Sequence, residues 1–308
     1  MIKYYSRFME VIYEKYPKLQ YYIEEVTTYI TSKLLIHSMI LFGGIVIDDF
    51  SEKYSDIDIV IILDKEMDNN DQGKIDEIIK KLIEVDKNFT RLLYIYFIPK
   101  IMLENPRKKF DDIEGLIFGN MEKKAINQYP LSMMDNFSIR EKGKILFGKN
   151  LKENFPKPPV NCFWLMFVDS LPSIEKASKK YPFQYNETID DEYVISWLLY
   201  LSRMLYSLEK KDIIGKTKGA YWFRNEYDNE LGEFIIEIAE CREENLSIKK
   251  VQNIVKNSRE LLIFALEKAF SIKEIEIPDL TKMVNIENNV MNFSDVFSEI
   301  RNHLADNK

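Results

Sequence analysis

Asp56 and Asp58 are the residues of this chain whose spacing carries the most chemistry. They open the run Asp56-Ile57-Asp58-Ile59-Val60-Ile61-Ile62-Leu63, which reads as a buried β-strand, and on a strand residues two apart share a face. Two adjacent carboxylates repel one another unless a cation lies between them, and hard oxygen ligands of this kind suit Mg²⁺ carried by a nucleotide's phosphates. Earlier in the chain, Gly43-Gly44 follows the short apolar run Ile36 to Phe42. Glycines at a strand end let backbone N–H groups approach a triphosphate closely. An Asp-Ile-Asp triplet alone is equally at home on any exposed strand. The glycine pair, the preceding Ser55 and the apolar run after it turn the triplet toward a metal and a nucleotide.

Composition narrows the partners and the chemistry. The 308 residues are 46% hydrophobic and 30% charged, enough for two ordinary domains, each with a core. Forty-three Lys and Arg against fifty Asp and Glu give a net charge of −7 and a pI near 5.2, an unfavourable balance for duplex nucleic acid. Cys162 and Cys241 are the only cysteines and His37 and His303 the only histidines, which excludes a disulfide framework and a Cys/His zinc centre. Catalysis therefore falls to carboxylates, lysines and metal. No signal segment and no membrane-spanning apolar run is read, so the expected location is the cytoplasm.

These residues need a scaffold, and the hydrophobic periods supply one. Tyr4 to Lys15 and Leu19 to Ser32, separated at Pro17, carry helical spacing. Ile36 to Phe42, the Asp56 to Leu63 run and Arg91 to Ile98 read as strands, with a polar loop from Asp64 to Gly73 and a helix from Lys74 to Val85 between the second and third. Short strands follow at Leu116 to Asn120 and Lys144 to Gly148, around a helical stretch from Ser132 to Lys142. Pro156-Lys157-Pro158-Pro159 marks a domain boundary. Beyond it Glu192 to Glu209 is apolar on nearly every side, as in a helix inside a bundle, with Leu231 to Arg242 and Val251 to Phe270 packed around it. The expected architecture is an α/β domain at 1–156, with a small mixed sheet and flanking helices, an all-α helical bundle at 157–272, and an extension at 273–308 with one last helix from Ser294 to Leu304.

The glycine pair followed by Asp-hydrophobic-Asp resembles the signature of the polymerase-β-like nucleotidyltransferases. The second half narrows the resemblance. Leu201-Ser202-Arg203, then Lys216 in Gly215-Lys216-Thr217-Lys218-Gly219-Ala220-Tyr221-Trp222, and the stretch from Arg140 to Leu151 are similar to segments of the aminoglycoside (streptomycin and spectinomycin) adenylyltransferases. The resemblance implies that Gly43 and Gly44 cradle the triphosphate, with Gly44 where many relatives have Ser. Ser55 would touch a phosphate, Asp56 and Asp58 would hold Mg²⁺, and Lys216 would reach the phosphates from the second domain, where a compact cation suits the departing pyrophosphate. Read without the flanking match, Lys216 is a solvated loop lysine beside Lys218.

Two positions depart from the family pattern. A Glu on the third strand serves the family as general base, and alignment of Arg91-Leu92-Leu93 places Tyr94 there. No Asp or Glu occurs from Asn88 to Lys100. A carboxylate from elsewhere (Glu104, Asp111 and Asp112 being nearest in sequence), a nucleophile needing no base, and a chain that binds nucleotide without turnover are the three explanations. Alternation puts Leu92, Tyr94, Tyr96 and Ile98 on one face, which must look toward Asp56 and Asp58 if the alignment holds. An acidic residue that the family carries ahead of the Arg140 segment aligns with Leu131.

For an acceptor the chain offers Asp190, Asp191 and Glu192, with Trp197 one turn inside the helix. Capping of that helix is the alternative role of the acids, and core packing that of Trp197. Residues 157–308 hold 20 basic and 25 acidic residues, so −5 of the −7 lies in the second half, which accords with a cationic acceptor. The expected activity is Mg²⁺-dependent transfer of AMP from ATP to a hydroxyl of a small cationic, aminoglycoside-like molecule. Transfer to a protein or RNA, and nucleotide binding without catalysis, remain as alternatives.

Overall fold

The computed structural model describes residues 14–111, 115–159, 161–167, 170, 191–227, 229–242, 248–272, 284–285 and 290–291. The chain divides into two units, Met1–Pro159 and Val160–Lys308.

In the first unit α1 (Pro17–Lys33) leads into β1 (Ile36–Phe42), and β2 (Ile57–Leu63) follows after a single 3₁₀ turn at Ile45–Ile47. Pro17 opens α1 rather than breaking the chain ahead of it, because proline lacks only an N–H that the first turn leaves unbonded anyway. Next come α2 (Asn69–Val85), α3 (Lys87–Leu92), β3 (Leu93–Pro99) and α4 (Lys100–Glu104). α2 begins five residues ahead of the expected Lys74 and takes in Gly73. The Asp68 carboxylate accepts from Asp71 N–H at its N-cap and so sets the start. β4 (Gly115–Gly119) and β5 (Glu122–Ile126) form a hairpin, and α5 (Met133–Phe137), a π turn at Ser138–Lys142 and β6 (Lys144–Gly148) complete the sheet.

The sheet order is β5-β4-β3-β2-β1-β6. Only β2 and β3 run parallel; the other neighbours are antiparallel. β5 escapes the sequence reading because its Glu-Lys-Lys-Ala stretch is exposed throughout, so an edge strand shows no apolar alternation. Alternation divides the core. One face buries Leu41, Ile57, Ile59, Ile61, Ile95 and Phe97 against Tyr22, Val26 and Ile30 of α1 and Ile75, Ile78 and Leu82 of α2. The other face packs Ile40, Phe42, Val60, Ile62 and Ile98 against Met102, Leu131, Ile139 and Phe155. The residues with chemistry lie on this second face.

The second unit is mostly helical. α6 (Asp191–Lys210) buries Ile195, Leu198, Leu199, Leu201, Leu205 and Leu208 to 1% exposure or less, and α7 (Lys216–Tyr227), α8 (Glu230–Glu240) and α9 (Ile248–Ile272) pack on it. A two-residue hairpin, β7 (Val284–Asn285) with β8 (Val290–Met291), lies in the C-terminal extension. The expected helices at Tyr4 to Lys15 and Ser294 to Leu304 fall largely or wholly outside the described residues. No helix among the described residues is long and apolar enough to cross a membrane.

Candidate active site

The site is built where β1 ends and β2 begins. Asp58 pairs in register with Phe42 of β1 on one side and with Tyr94 of β3 on the other, so the Asp58 and Tyr94 side chains stand on one face, as the alternation requires. Asp56 precedes the strand and is exposed, while Asp58 is half-buried. Both carboxylates act on the same phenol. Tyr96, two residues along β3, has its pKa raised first by burial and then by the charges of Asp58, Asp135 and Asp56.

Gly43 brings the two strands' ends together. It adopts φ +74°, and a Cβ built on it would overlap the Asp58 carboxylate, so a side chain is excluded both by backbone conformation and by space. Its N–H donates to Ser138 Oγ at 3.1 Å. The contribution of Gly43 is therefore the absence of a side chain. Gly44 is different: its backbone is ordinary right-handed (φ −58°, ψ −40°), and the nearest atom to an added Cβ is the Asp49 carbonyl oxygen at 3.5 Å. A serine fits there, in accord with the resemblance.

Ser55 is buried and serves the loop. Its hydroxyl accepts from Ser51 N–H at 2.9 Å and donates to the Asp49 carbonyl at 3.2 Å. With its one proton committed, the hydroxyl must release Asp49 before it can donate to a phosphate.

Tyr94 leans the other way along the sheet. A Cβ on Gly119 of β4 would overlap the Tyr94 ring, so the ring lies over a glycine that leaves it room. Of the carboxylates considered as substitutes for the missing base, Glu104 and Asp111 lie at the wrong end. β3 finishes at Pro99 and Glu104 follows on α4, roughly 17 Å of strand from Tyr94. Gly115, at the start of β4, abuts Phe97 and Pro99, which puts the preceding Asp111 at the same far end. Asp112 is outside the described residues.

Sequence reasoning misses two residues at the site. Ser138, on the turn after α5, takes the Gly43 N–H. Asp135, one turn earlier on α5, is a third carboxylate whose charge acts on Tyr96. Burial raises its pKa, against bonds from Ser132 that lower it. The signal for Asp135 is present as Ser132-x-x-Asp135, a capping-box pattern, and the box forms in full. Leu131, aligned with the family's acid, is buried in the core. Arg140 secures the chain beyond, donating to the Glu153 and Phe155 carbonyls at 2.7 Å and meeting the Glu153 carboxylate.

Among the described residues no three His, Cys, Asp or Glu side chains gather as a metal cluster. The Asp56/Asp58 pair still fits Mg²⁺, which commonly takes one or two carboxylates and fills its shell with water and substrate phosphates. At Gly43 the backbone itself, with no side chain between, comes up against the Asp58 carboxylate.

In the second unit Lys216 is the first residue of α7, and its Nζ donates to Ser196 Oγ on α6 at 3.1 Å. Next to it Thr217 Oγ1 accepts from the buried Arg242 at 2.7 Å, and Arg203 Nε donates to the Ile214 carbonyl at 2.8 Å, bracing the loop that presents Lys216. Trp197 is 9% exposed, and its buried indole N–H has no hydrogen-bond partner among the described residues. Asp191 and Glu192 belong to the first turn of α6, and Asp190 lies outside the described residues.

Residues 23–118, which span Gly43, Gly44, Ser55, Asp56, Asp58 and Tyr94, match the nucleotidyltransferase domain family. No curated protein matches the sequence. Among solved structures, the spectinomycin adenyltransferase AAD(9) from Enterococcus faecialis, determined with ATP and spectinomycin, is similar in fold. The TM-score is 0.50 at 18% identity, over 82% of this chain and 99% of that one. Residues 23–118 thus match a nucleotidyltransferase domain, and the chain is similar in fold to a spectinomycin adenyltransferase.

Proposed function

We propose that the chain transfers AMP from ATP·Mg²⁺ to a hydroxyl of a small cationic acceptor of the aminoglycoside kind. The observation that carries the reading is the junction of Gly43 with Asp58. A backbone position that admits no side chain lies directly on a carboxylate, with a second carboxylate two residues away. Asp56 and Asp58 would hold the metal, which when bound supplies Lewis acidity at the phosphates. The glycine turn lets the triphosphate come close to the strand end, so that an acceptor hydroxyl can attack in line as pyrophosphate leaves. Gly44 and Ser55 border the triphosphate in this reading, and the resemblance adds Lys216 as a cation for the leaving group. Asp190, Asp191, Glu192 and Trp197 are its acceptor-binding candidates, and the negative charge of the second half favours a cationic partner.

The test is a panel of α-labelled nucleoside triphosphates against aminoglycosides, bulk tRNA and cell protein, with Asp58→Asn as control. Label should appear on an aminoglycoside, from ATP, only with Mg²⁺, and at least about 100-fold more slowly in the variant. Label on RNA or protein instead would replace the acceptor class, and label nowhere would overturn the reading.

A further inference from the structure

The strand position where related enzymes carry their base holds Tyr94, and a phenol with an ordinary pKa near ~10 is a poor proton acceptor at neutral pH. We propose that Asp135 is the general base of this enzyme, delivered to the site from α5 instead of from the third strand. The inference rests on the adenylyl-transfer reading above.

Three placements converge on it. Ser138 receives the Gly43 N–H, and Gly43 lies against Asp58, so the start of the π turn is anchored at the metal-binding corner. Asp135 precedes Ser138 by three residues within continuous helical backbone, a spacing that puts two side chains on one face. The charges of Asp58, Asp135 and Asp56 each add to burial in raising the Tyr96 pKa, which accords with that placement. The carboxylate is also held for the task. Ser132 N–H and Ser132 Oγ both donate to Asp135 Oδ2, at 2.9 and 2.7 Å, which fixes the group and leaves Oδ1 for the proton.

In the step itself the acceptor oxygen bonds to the α-phosphorus while the bond from that phosphorus to the β-bridging oxygen breaks. Pyrophosphate departs with that electron pair, and the hydroxyl proton passes to Asp135 Oδ1. Asp56 and Asp58 would hold the metal, so the base and the ligands are separate residues.

Asp135→Asn separates this role from helix capping, because an amide oxygen still accepts from Ser132 N–H whereas an amide does not take the proton. The variant should melt close to the parent and bind ATP·Mg²⁺ by calorimetry within about threefold. It should lose about 100-fold or more in kcat with little change in the acceptor KM. Adding Tyr94→Glu to Asp135→Asn should return at least about tenfold of the rate, by restoring a carboxylate on the third strand. If Asp135→Asn does not fold, Asp135→Ser carries the same measurements, since Ser132 remains as the N-cap. An active parent whose Asp135 variant keeps its kcat within about fivefold overturns the inference alone. So does a loss of ATP affinity in step with the loss of rate, which would make Asp135 a ligand or a prop. A parent that transfers AMP to no acceptor overturns the function and this inference together.

Discussion

β2 carries carboxylates at both of its ends, and the two ends are built on different principles. At the finish Asp64 meets the His37 imidazole, Lys65 pairs with Asp68 at 2.8 Å and with Asp71 at 3.3 Å, and Lys74 reaches Asp71 at 3.0 Å. Asp68 and Asp71 there each pair with lysine, and Asp68 also caps α2. At the start Asp58 lies against a glycine backbone and beside Tyr94, with Asp56 and Asp135 sharing its neighbour Tyr96. The first arrangement is complete within the chain and holds a helix in place. The second sets carboxylates beside a backbone position that admits no side chain. Acidic residues thus differ in meaning by what the backbone has been made to do around them.

The largest expected effect tests the start of the strand. Gly43→Ala puts a methyl into the Asp58 carboxylate and forces an L-residue to φ +74°, so the turn or the carboxylate must move. ATP·Mg²⁺ affinity should fall at least about 100-fold, with a stability loss of about 1–3 kcal/mol from overpacking and strain. Calorimetry and a denaturant titration check the two parts. A variant that binds ATP·Mg²⁺ like the parent would end the claim that this corner is the nucleotide site.

Asp68→Ala probes the other end and should touch stability alone. The bonds from Lys65 and from Asp71 N–H hold the Asp68 pKa at about 2, below the ordinary 3.8. Because the folded-state value is depressed, the stabilisation is present above the unfolded value and lost as pH falls from about 4 toward 2. The variant should melt below the parent at pH 7 and converge with it near pH 2. The difference should be small and shrink with salt, since the pair is solvated. A loss of ATP affinity in this variant would erase the distinction between the two ends.

Much of this contrast is legible in the amino-acid sequence. The Asp56/Asp58 alternation and the glycine pair follow from strand period and turn chemistry, whereas the place of Tyr94 opposite Asp58 comes from the family resemblance joined to the alternation of the third strand. The bundle is legible for the same reason, its central helix being apolar on nearly every side. What escapes is whatever depends on packing across the sequence. Ser138 meets Gly43 only because the π turn after α5 packs beside β1, and no local signal announces that packing. Ser55 resembles a phosphate contact in sequence, yet its hydroxyl is turned to Ser51 and Asp49. The difference between Gly43 and Gly44 is also hidden, since two adjacent glycines look alike until their dihedral angles and neighbours are known.

That last difference supplies the smallest prediction. Gly44 has right-handed backbone angles open to any L-residue, and an added Cβ meets only the Asp49 carbonyl oxygen, at ordinary van der Waals distance. Gly44→Ser should therefore fold with a stability change within about 0.5 kcal/mol, the gain from a less flexible unfolded chain offsetting any loss of fit. ATP·Mg²⁺ affinity should stay within about threefold of the parent, because the new hydroxyl can donate to the Asp49 carbonyl or turn toward the triphosphate without moving Gly43. Thermal melting and the same calorimetric titration used for Gly43→Ala read both quantities. The informative result is the ratio between the two variants. If Gly44→Ser weakens binding as severely as Gly43→Ala, the turn requires two glycines for flexibility, and the account in which Gly43 alone makes room over Asp58 is wrong. If it does not, one missing side chain, placed against one carboxylate, explains the glycine of this site.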